Sequence, residues 1–256
     1  MVELVTTYTA TELLACVAAR MLEDKKSVLV GTGLPMIAAL LAQRTHAPGL
    51  LIIFEAGGIG PRVPVLPISV GDSRTFYRAA AASSMHDVMS ACQAGYVDYG
   101  FLGAAMIDVY GNLNTTVIGD YLKPKVRLPG SGGACEIAVL ARKVIVVIPH
   151  SRRAFPERVD FITSPGFLGG GAERARLGLP GGGPDAVITD LGVLRFDQET
   201  REMVLASLHP GVTLDAVRAQ TGWPLRAASP LGVTQPPSAE ELRVLRGELA
   251  PSPDLA

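Results

Sequence analysis

The chain has 256 residues, 48% hydrophobic and 18% charged, with a formal net charge of −1. So much apolar material excludes wholesale disorder and supports a sizeable core. The balanced charge and an aromatic content of only 5% speak against a nucleic-acid partner, which needs a basic face or stacking rings.

Taken in chain order, the first element is a helix. Thr9 and Glu12 have capping-box spacing, and Leu13, Leu14, Val17 and Met21 recur at helical intervals. Ser27–Val30 reads as a short strand that ends in Gly31-Thr32-Gly33. Pro35 then suits the first residue of a helix with Met36, Ile37, Leu40 and Leu41 on its buried stripe. Leu50–Phe54 is a fully apolar second strand that stops at Glu55 and a Gly-Gly turn. Strand, helix and strand in so short a stretch predict a parallel pair with a right-handed crossover.

Further on, Met85–Ala94 reads as a helix, Val97–Leu102 as extended, Tyr110–Thr116 as turn-rich and Val144–Ile148 as a buried strand. Ala186–Thr189 and Val193–Phe196 read as strands, with Met203–Ser207 pairing back as a hairpin. Thr213–Thr221 and Ser238–Glu248 read as helices, the second with Ser238 and Glu241 at capping-box spacing. Pro165–Pro184 contains eight glycines; a connection of that length is expected to be functional or a mobile cover. Ala227–Pro237 reads as an extended, proline-rich arm. The fold class predicted is α/β, an open and mostly parallel sheet with helices packed around it. It forms a single domain over residues 1–250, followed by a frayed tail at 251–256.

Three widely spaced cysteines, Cys16, Cys92 and Cys135, offer neither a disulfide framework nor a metal half-site. His46, His86, His150 and His209 also lack metal-ligand spacing, so no metal is expected. Glu3 and Glu12 lie where a signal peptide would be basic, and apolar runs such as Val144–Pro149 fall far short of the ~20 residues that span a bilayer. The expectation is a soluble, cytoplasmic protein with no membrane partner.

Glu55 is the first chemical candidate. It follows an inner parallel strand, and in open α/β sheets the carboxyl ends of strands face the ligand crevice. Gly57, Gly58 and Gly60 are read as keeping its approach clear of side chains. The position also suits a helix cap or a salt bridge, and the residues alone leave both open. Gly31-x-Gly33 with an acid further on outlines a dinucleotide fingerprint, but Met36 stands where a small residue is required. Gly130-Ser131-Gly132-Gly133 exposes successive backbone N–H groups that suit an anion or a developing oxyanion, or else form a flexible turn. Lys123, Lys125 and Arg127 lie just upstream, where they suit a carboxylate or phosphate as well as a solvated face. Cys135 beside them is read as a structural thiol.

Assembled, VLVGTGLPMIAALLA, IIFEAGG, SVGD (Ser69–Asp72), GAAMIDVYGNLNTTVIGDY, GSGGAC, ITSPGF, GLPGGGP, VITDLGVLRF and LHPGVT resemble, in this order, the family I CoA-transferases. The resemblance is greatest to the glutaconate CoA-transferase type of β subunit and runs from about Glu12 to Pro251. It implies an open α/β sheet domain, an α subunit that shares the active site, and Glu55 as the nucleophile. Gly130, Ser131, Gly132 and Gly133 match the loop beside the reacting thioester, and Asn112 and Asn114 are implied to help position substrate. No permanently bound cofactor is implied; coenzyme A is a substrate, together with a carboxylic acid. A glutamate suits the task because the free side chain titrates near about 4.3 and attacks without a general base. Relatives on this scaffold act as decarboxylases or ring-opening hydrolases, and a third expectation is a non-catalytic partner of a catalytic α subunit.

Overall fold

The computed structural model describes residues 7–249; the end predicted to fray, 251–256, lies outside them. The chain divides into two compact units, one reaching to Phe101 and resuming at Gln235, the other Leu102–Thr234.

In the first unit the predicted order appears almost residue for residue: α1 (Ala10–Ala19), β1 (Ser27–Val30), α2 (Leu34–Arg44) and β2 (Leu51–Phe54). Thr9 and Glu12 close the capping box at the start of α1. β1 and β2 are parallel, with Ser27 through Val30 opposite Leu51 through Phe54. Every residue of β1 is buried, which is why the sequence shows an unbroken apolar run rather than alternation. Two short strands the sequence does not signal, β3 (Gly58–Ile59) and β4 (Ala81–Ala82), extend the edge in antiparallel fashion. α3 (Met85–Gln93) leads to β5 (Tyr99–Leu102), which pairs parallel with the other side of β1.

The second unit opens with two small hairpins, β6 (Met106–Ile107) with β7 (Leu113–Asn114), and β8 (Val117–Gly119) with β9 (Pro124–Arg127); of these only β7 falls within Tyr110–Thr116, the stretch read as turn-rich. After α4 (Ala134–Leu140) come β10 (Lys143–Val147), α5 (Glu173–Arg176), β11 (Pro184–Ile188), β12 (Gly192–Phe196) and β13 (Met203–Leu208). β10 and β11 are parallel, while β11, β12 and β13 run antiparallel, so the expected hairpin back from Met203 is present. α6 (Leu214–Ala219) follows. The stretch expected as an extended arm is β14 (Arg226–Val233), a strand parallel to β13. α7 (Ala239–Gly247), capped by Ser238 and Glu241, then rejoins the first unit and packs on α1 and α2. The fold is an open, mixed sheet type with helices: the first unit adds antiparallel β3 and β4 beside parallel β1 and β2, and the second has parallel pairs β10–β11 and β13–β14 with antiparallel β12 between them. No helix among the described residues is long and apolar enough to cross a membrane.

The glycine-rich connection after Pro165 is not a loose cover. Arg174, 5% exposed, donates to the carbonyls of Pro165, Gly166, Gly181, Ala138 and Val139 at 2.8–3.2 Å. One guanidinium thereby ties both ends of the connection to α4. Gly166 has no room for a side chain, since a Cβ there would lie 2.4 Å from the Gly111 carbonyl carbon. Replacing Arg174 with Met leaves five carbonyls without this donor. The expected cost is about 3 kcal/mol in urea unfolding, with new protease cleavage within 165–184.

A second buried polar cluster sits around Thr189. His150 stacks on Phe155 with centroids 3.9 Å apart. Its Nε2 lies 3.0 Å from the Thr221 hydroxyl, which itself donates to the Val217 carbonyl, so Nε2 carries the proton. His209 Nε2 faces the Thr189 carbonyl at 2.7 Å and is likewise the donor. Burial holds both rings neutral and pulls His150 down from 6.5 to about 4, with His209 shifted in the same direction. An unfolded chain binds these protons first, so the stabilising effect is complete above pH 6.5 and lost as pH falls towards 4. His150 alone is expected to remove about 3 kcal/mol across that window. Urea titrations at several pH values check this, with a flatter slope in His150→Gln.

Candidate active site

Glu55 is placed by the ladder that precedes it. Val30 and Phe54 are paired in register, so the next residues, Gly31 and Glu55, leave the sheet together at the carboxyl ends of neighbouring parallel strands. The Glu55 side chain is half-buried, and it makes no hydrogen bond or ion pair with the described residues. It caps no helix and meets no cation, the two alternatives its position leaves open.

The turn after it is held tightly. The Gly57 N–H donates to the Phe54 carbonyl at 2.9 Å, and its own carbonyl accepts from Ser83 at 2.9 Å. Gly57 has φ +116°, and a Cβ there would lie 2.1 Å from the Ser83 carbonyl oxygen; at Gly58 it would lie 2.0 Å from that of Thr75. These glycines therefore do not clear an approach, contrary to the expectation from their spacing. They let two backbone segments press against the turn and fix where Glu55 begins.

At the same carboxyl end of the strands, a Cβ at Gly31 or Gly33 would meet nothing within 4 Å. α2 starts there without a side-chain cap and with no acid in its first turn. Thr32, Gly33 and Met36, with Leu66 and Ile68, line a mostly apolar cleft of about 770 Å³. Met36 is fully buried, so the close glycine packing of a dinucleotide fingerprint is missing.

The other predicted residues lie in the second unit. The N–H groups of Ser131, Gly132 and Gly133 donate to nothing among the described residues. The loop is nonetheless anchored. Gly130 donates to the Thr115 carbonyl and accepts from the Thr115 hydroxyl, both at 2.7 Å, while the Ser131 hydroxyl accepts from the Cys135 N–H at 3.1 Å. Gly130 and Gly132 have φ +96° and +50°, a left-handed region that glycine enters without steric cost. Burial and the neighbouring Glu136 push the Cys135 thiol up, so it carries the proton and is no nucleophile in waiting.

Asn112 and Asn114 are both 0% exposed. The Asn112 amide nitrogen donates to both Asp108 oxygens and to the Leu168 carbonyl at 2.9–3.1 Å. Its oxygen accepts from Gly166 and Leu168. Burial raises the Asp108 carboxyl above its usual range, against these donors. Asn114 donates to the Val117 carbonyl at 2.6 Å and accepts from the Thr116 and Val117 N–H groups. Both amides thus brace backbone, and any positioning they exert passes through the loops they hold. Asp108, Arg174 and Thr115, the partners in this bracing, carry no signal in the sequence beyond their proximity to glycines. No group of His, Cys, Asp or Glu able to hold a metal ion occurs among the described residues.

A carboxylate at the end of an inner parallel strand places the chain in the α/β class whose sites form at strand carboxyl ends. The Coenzyme A transferase family model matches residues 11–220, and the chain belongs to that family of enzymes. It is 45% identical to the B component of the 3-oxoadipate CoA-transferase of Pseudomonas knackmussii, over 93% of this chain and 92% of that one. It is 37% identical to the B component of the glutaconate CoA-transferase of Acidaminococcus fermentans, covering 96% and 94%. The crystal structure of that glutaconate enzyme matches with a TM-score of 0.90 over 95% of each chain. A decarboxylase, AibA/AibB, matches with a TM-score of 0.82 at 26% identity over 94% of each chain.

The turn offers a direct test of its packing. Gly57→Ala is expected to lose at least about 3 kcal/mol in urea unfolding through strain and collision with Ser83. Gly31→Ala, with open space around it, is expected to stay within about 1 kcal/mol.

Proposed function

We propose that this chain is the β subunit of an acyl-CoA:carboxylate CoA-transferase and that Glu55 is its nucleophile. The observation that carries the reading is a glutamate held at a strand end by a glycine-locked turn, with no hydrogen-bond or ionic partner among the described residues, in a chain of this family.

The chemistry follows from the carboxylate. A Glu55 oxygen adds to the thioester carbonyl; the C–S bond breaks and coenzyme A leaves as thiolate, giving a mixed anhydride. The thiolate then attacks the glutamyl carbonyl, which releases the first acid as carboxylate and leaves a glutamyl-CoA thioester. A second carboxylate reverses both steps. Each intermediate stays activated, so the thioester's free energy is retained if water is kept out. The N–H groups of Ser131, Gly132 and Gly133, which donate to nothing among the described residues, are of the kind that suits an anion or an oxyanion.

An α subunit completes the site in this reading, as the naming of the relatives as one component of a pair suggests. The acids are dicarboxylic or related, in keeping with the 3-oxoadipate and glutaconate enzymes it resembles. Coenzyme A is a substrate and no resident cofactor is needed. The enzyme works in the cytoplasm, where acyl-CoA pools are found.

In the chain assembled with its α subunit, Glu55→Ala is expected to lower transfer at least about 10³-fold. Exposure of the unaltered complex to acyl-CoA without an acceptor should leave a CoA mass adduct on the Glu55 peptide. Unchanged turnover in Glu55→Ala would show that α does the chemistry. Steady release of free coenzyme A without any acceptor acid would instead indicate hydrolysis on this scaffold.

A further inference from the structure

The turn between β12 and β13 closes on a residue that its backbone does not favour. Arg201 has φ +62°, the left-handed region that glycine enters without steric cost and other residues enter against it. The conformation is locked by the turn itself: the Arg201 N–H donates to the Asp197 carbonyl at 3.1 Å, and the Asp197 N–H to the Glu202 carbonyl at 2.9 Å. An arginine kept where glycine would fit more easily points to a use for its side chain. That side chain is half-buried, and its guanidinium lies 5.1 Å from the ring centre of the buried Phe167, a contact that restrains where the cation sits. Its one side-chain hydrogen bond is long, 3.4 Å to the Gln198 oxygen, and no carboxylate pairs with it among the described residues.

Arg201 stands on the wall of a cleft of about 350 Å³ that Arg142, Lys143 and Arg195 also line. The carboxylate on the same wall is Asp185, which is paired with Arg195. An adjoining cleft of about 410 Å³ shares Phe167 and Arg201 with the first and adds Glu199. Arg142, Lys143, Arg195 and Arg201 still outnumber Asp185 and Glu199, so the groove as a whole is positive. Gly183, buried at the first cleft, has an N–H that donates to nothing among the described residues. Lys143 opens β10 and Pro184 opens β11, and these strands are parallel. The cleft therefore lies at their amino ends, opposite to the carboxyl ends where open α/β sheets seat substrates.

We propose that this cleft binds a small anion of two or more negative charges, its phosphate or carboxylate group held by Arg201 with Arg142 and Lys143 adding charge. A guanidinium grips either group through two parallel N–H···O bonds. Arg201 reaches the cleft already restrained by its turn and by Phe167, so little side-chain freedom remains to be lost on binding. The site is independent of the reaction proposed for Glu55.

The test is isothermal titration calorimetry of the full chain, alone and assembled with α, with inorganic pyrophosphate as the phosphate probe and citrate as the carboxylate probe. At least one of them is expected to bind once per chain with a Kd below about 1 mM at physiological salt, and the stronger of the two identifies the group recognised. Arg201→Gly should weaken that binding at least about tenfold, while the urea midpoint and the transfer activity stay unchanged, because glycine accepts the same φ. Arg201→Lys, which keeps the charge without the planar fork, should retain part of the affinity. Absence of binding by both anions overturns the site, as does equal binding in Arg201→Gly. Binding that disappears at physiological salt also overturns it, leaving only general counter-ion attraction. Binding to the chain alone that is lost on assembly makes the cleft a subunit contact, and competitive displacement of pyrophosphate by coenzyme A makes it part of the substrate site; either result removes the proposal.

Discussion

Parallel pairing of β1 with β2 is the constraint on which the candidate site depends. The two strands are matched residue for residue from Ser27 and Leu51 to Val30 and Phe54, and every residue of β1 is buried. The ladder stops where glycines begin on one strand and Glu55 on the other. The turn that follows closes against Ser83 and Thr75 with no room for a Cβ, so the position of the carboxylate is set from both sides. Such support fixes the backbone from which the candidate side chain extends, and functional groups in general have to be held within about 0.5 Å of their working position.

The second unit is organised by a different principle. Its loops are long and rich in glycine, and their backbone groups find partners in a few buried polar side chains. Asn112 holds Gly166 and Leu168, Arg174 gathers five carbonyls, and Asn114 closes the turn into β8. Buried polar groups are costly unless satisfied, and once satisfied they specify one arrangement. The Gly130–Gly133 loop is anchored through Thr115, while the N–H groups of residues 131–133 donate to nothing among the described residues.

Much of the fold was legible because the signals were local. The capping boxes at Thr9 and Ser238 and the continuous apolar runs of β1 and β2 each arise within a few residues, and the structure reproduces them. The small strands β3, β4, β6 and β7 were not legible, since a two-residue pairing has no period of its own. The loop from Pro165 to Pro184 showed its glycines but not its anchor, because Arg174 acts on carbonyls contributed by residues distant in sequence. The glycines after Glu55 were visible as a motif, yet their purpose depends on Ser83 and Thr75, which approach from elsewhere in the chain.

By itself the sequence determined the element order of the first unit, its parallel core and the presence of a glutamate directly after an apolar strand, since propensity, capping and hydrophobic run length all operate over short distances. Only the tertiary structure decided that this glutamate has no partner among the described residues, and that the buried Asn112 and Asn114 amides are spent on loop backbone and, for Asn112, on the Asp108 carboxylate as well. Those facts depend on which distant groups arrive beside each side chain, and close packing in three dimensions is what chooses them.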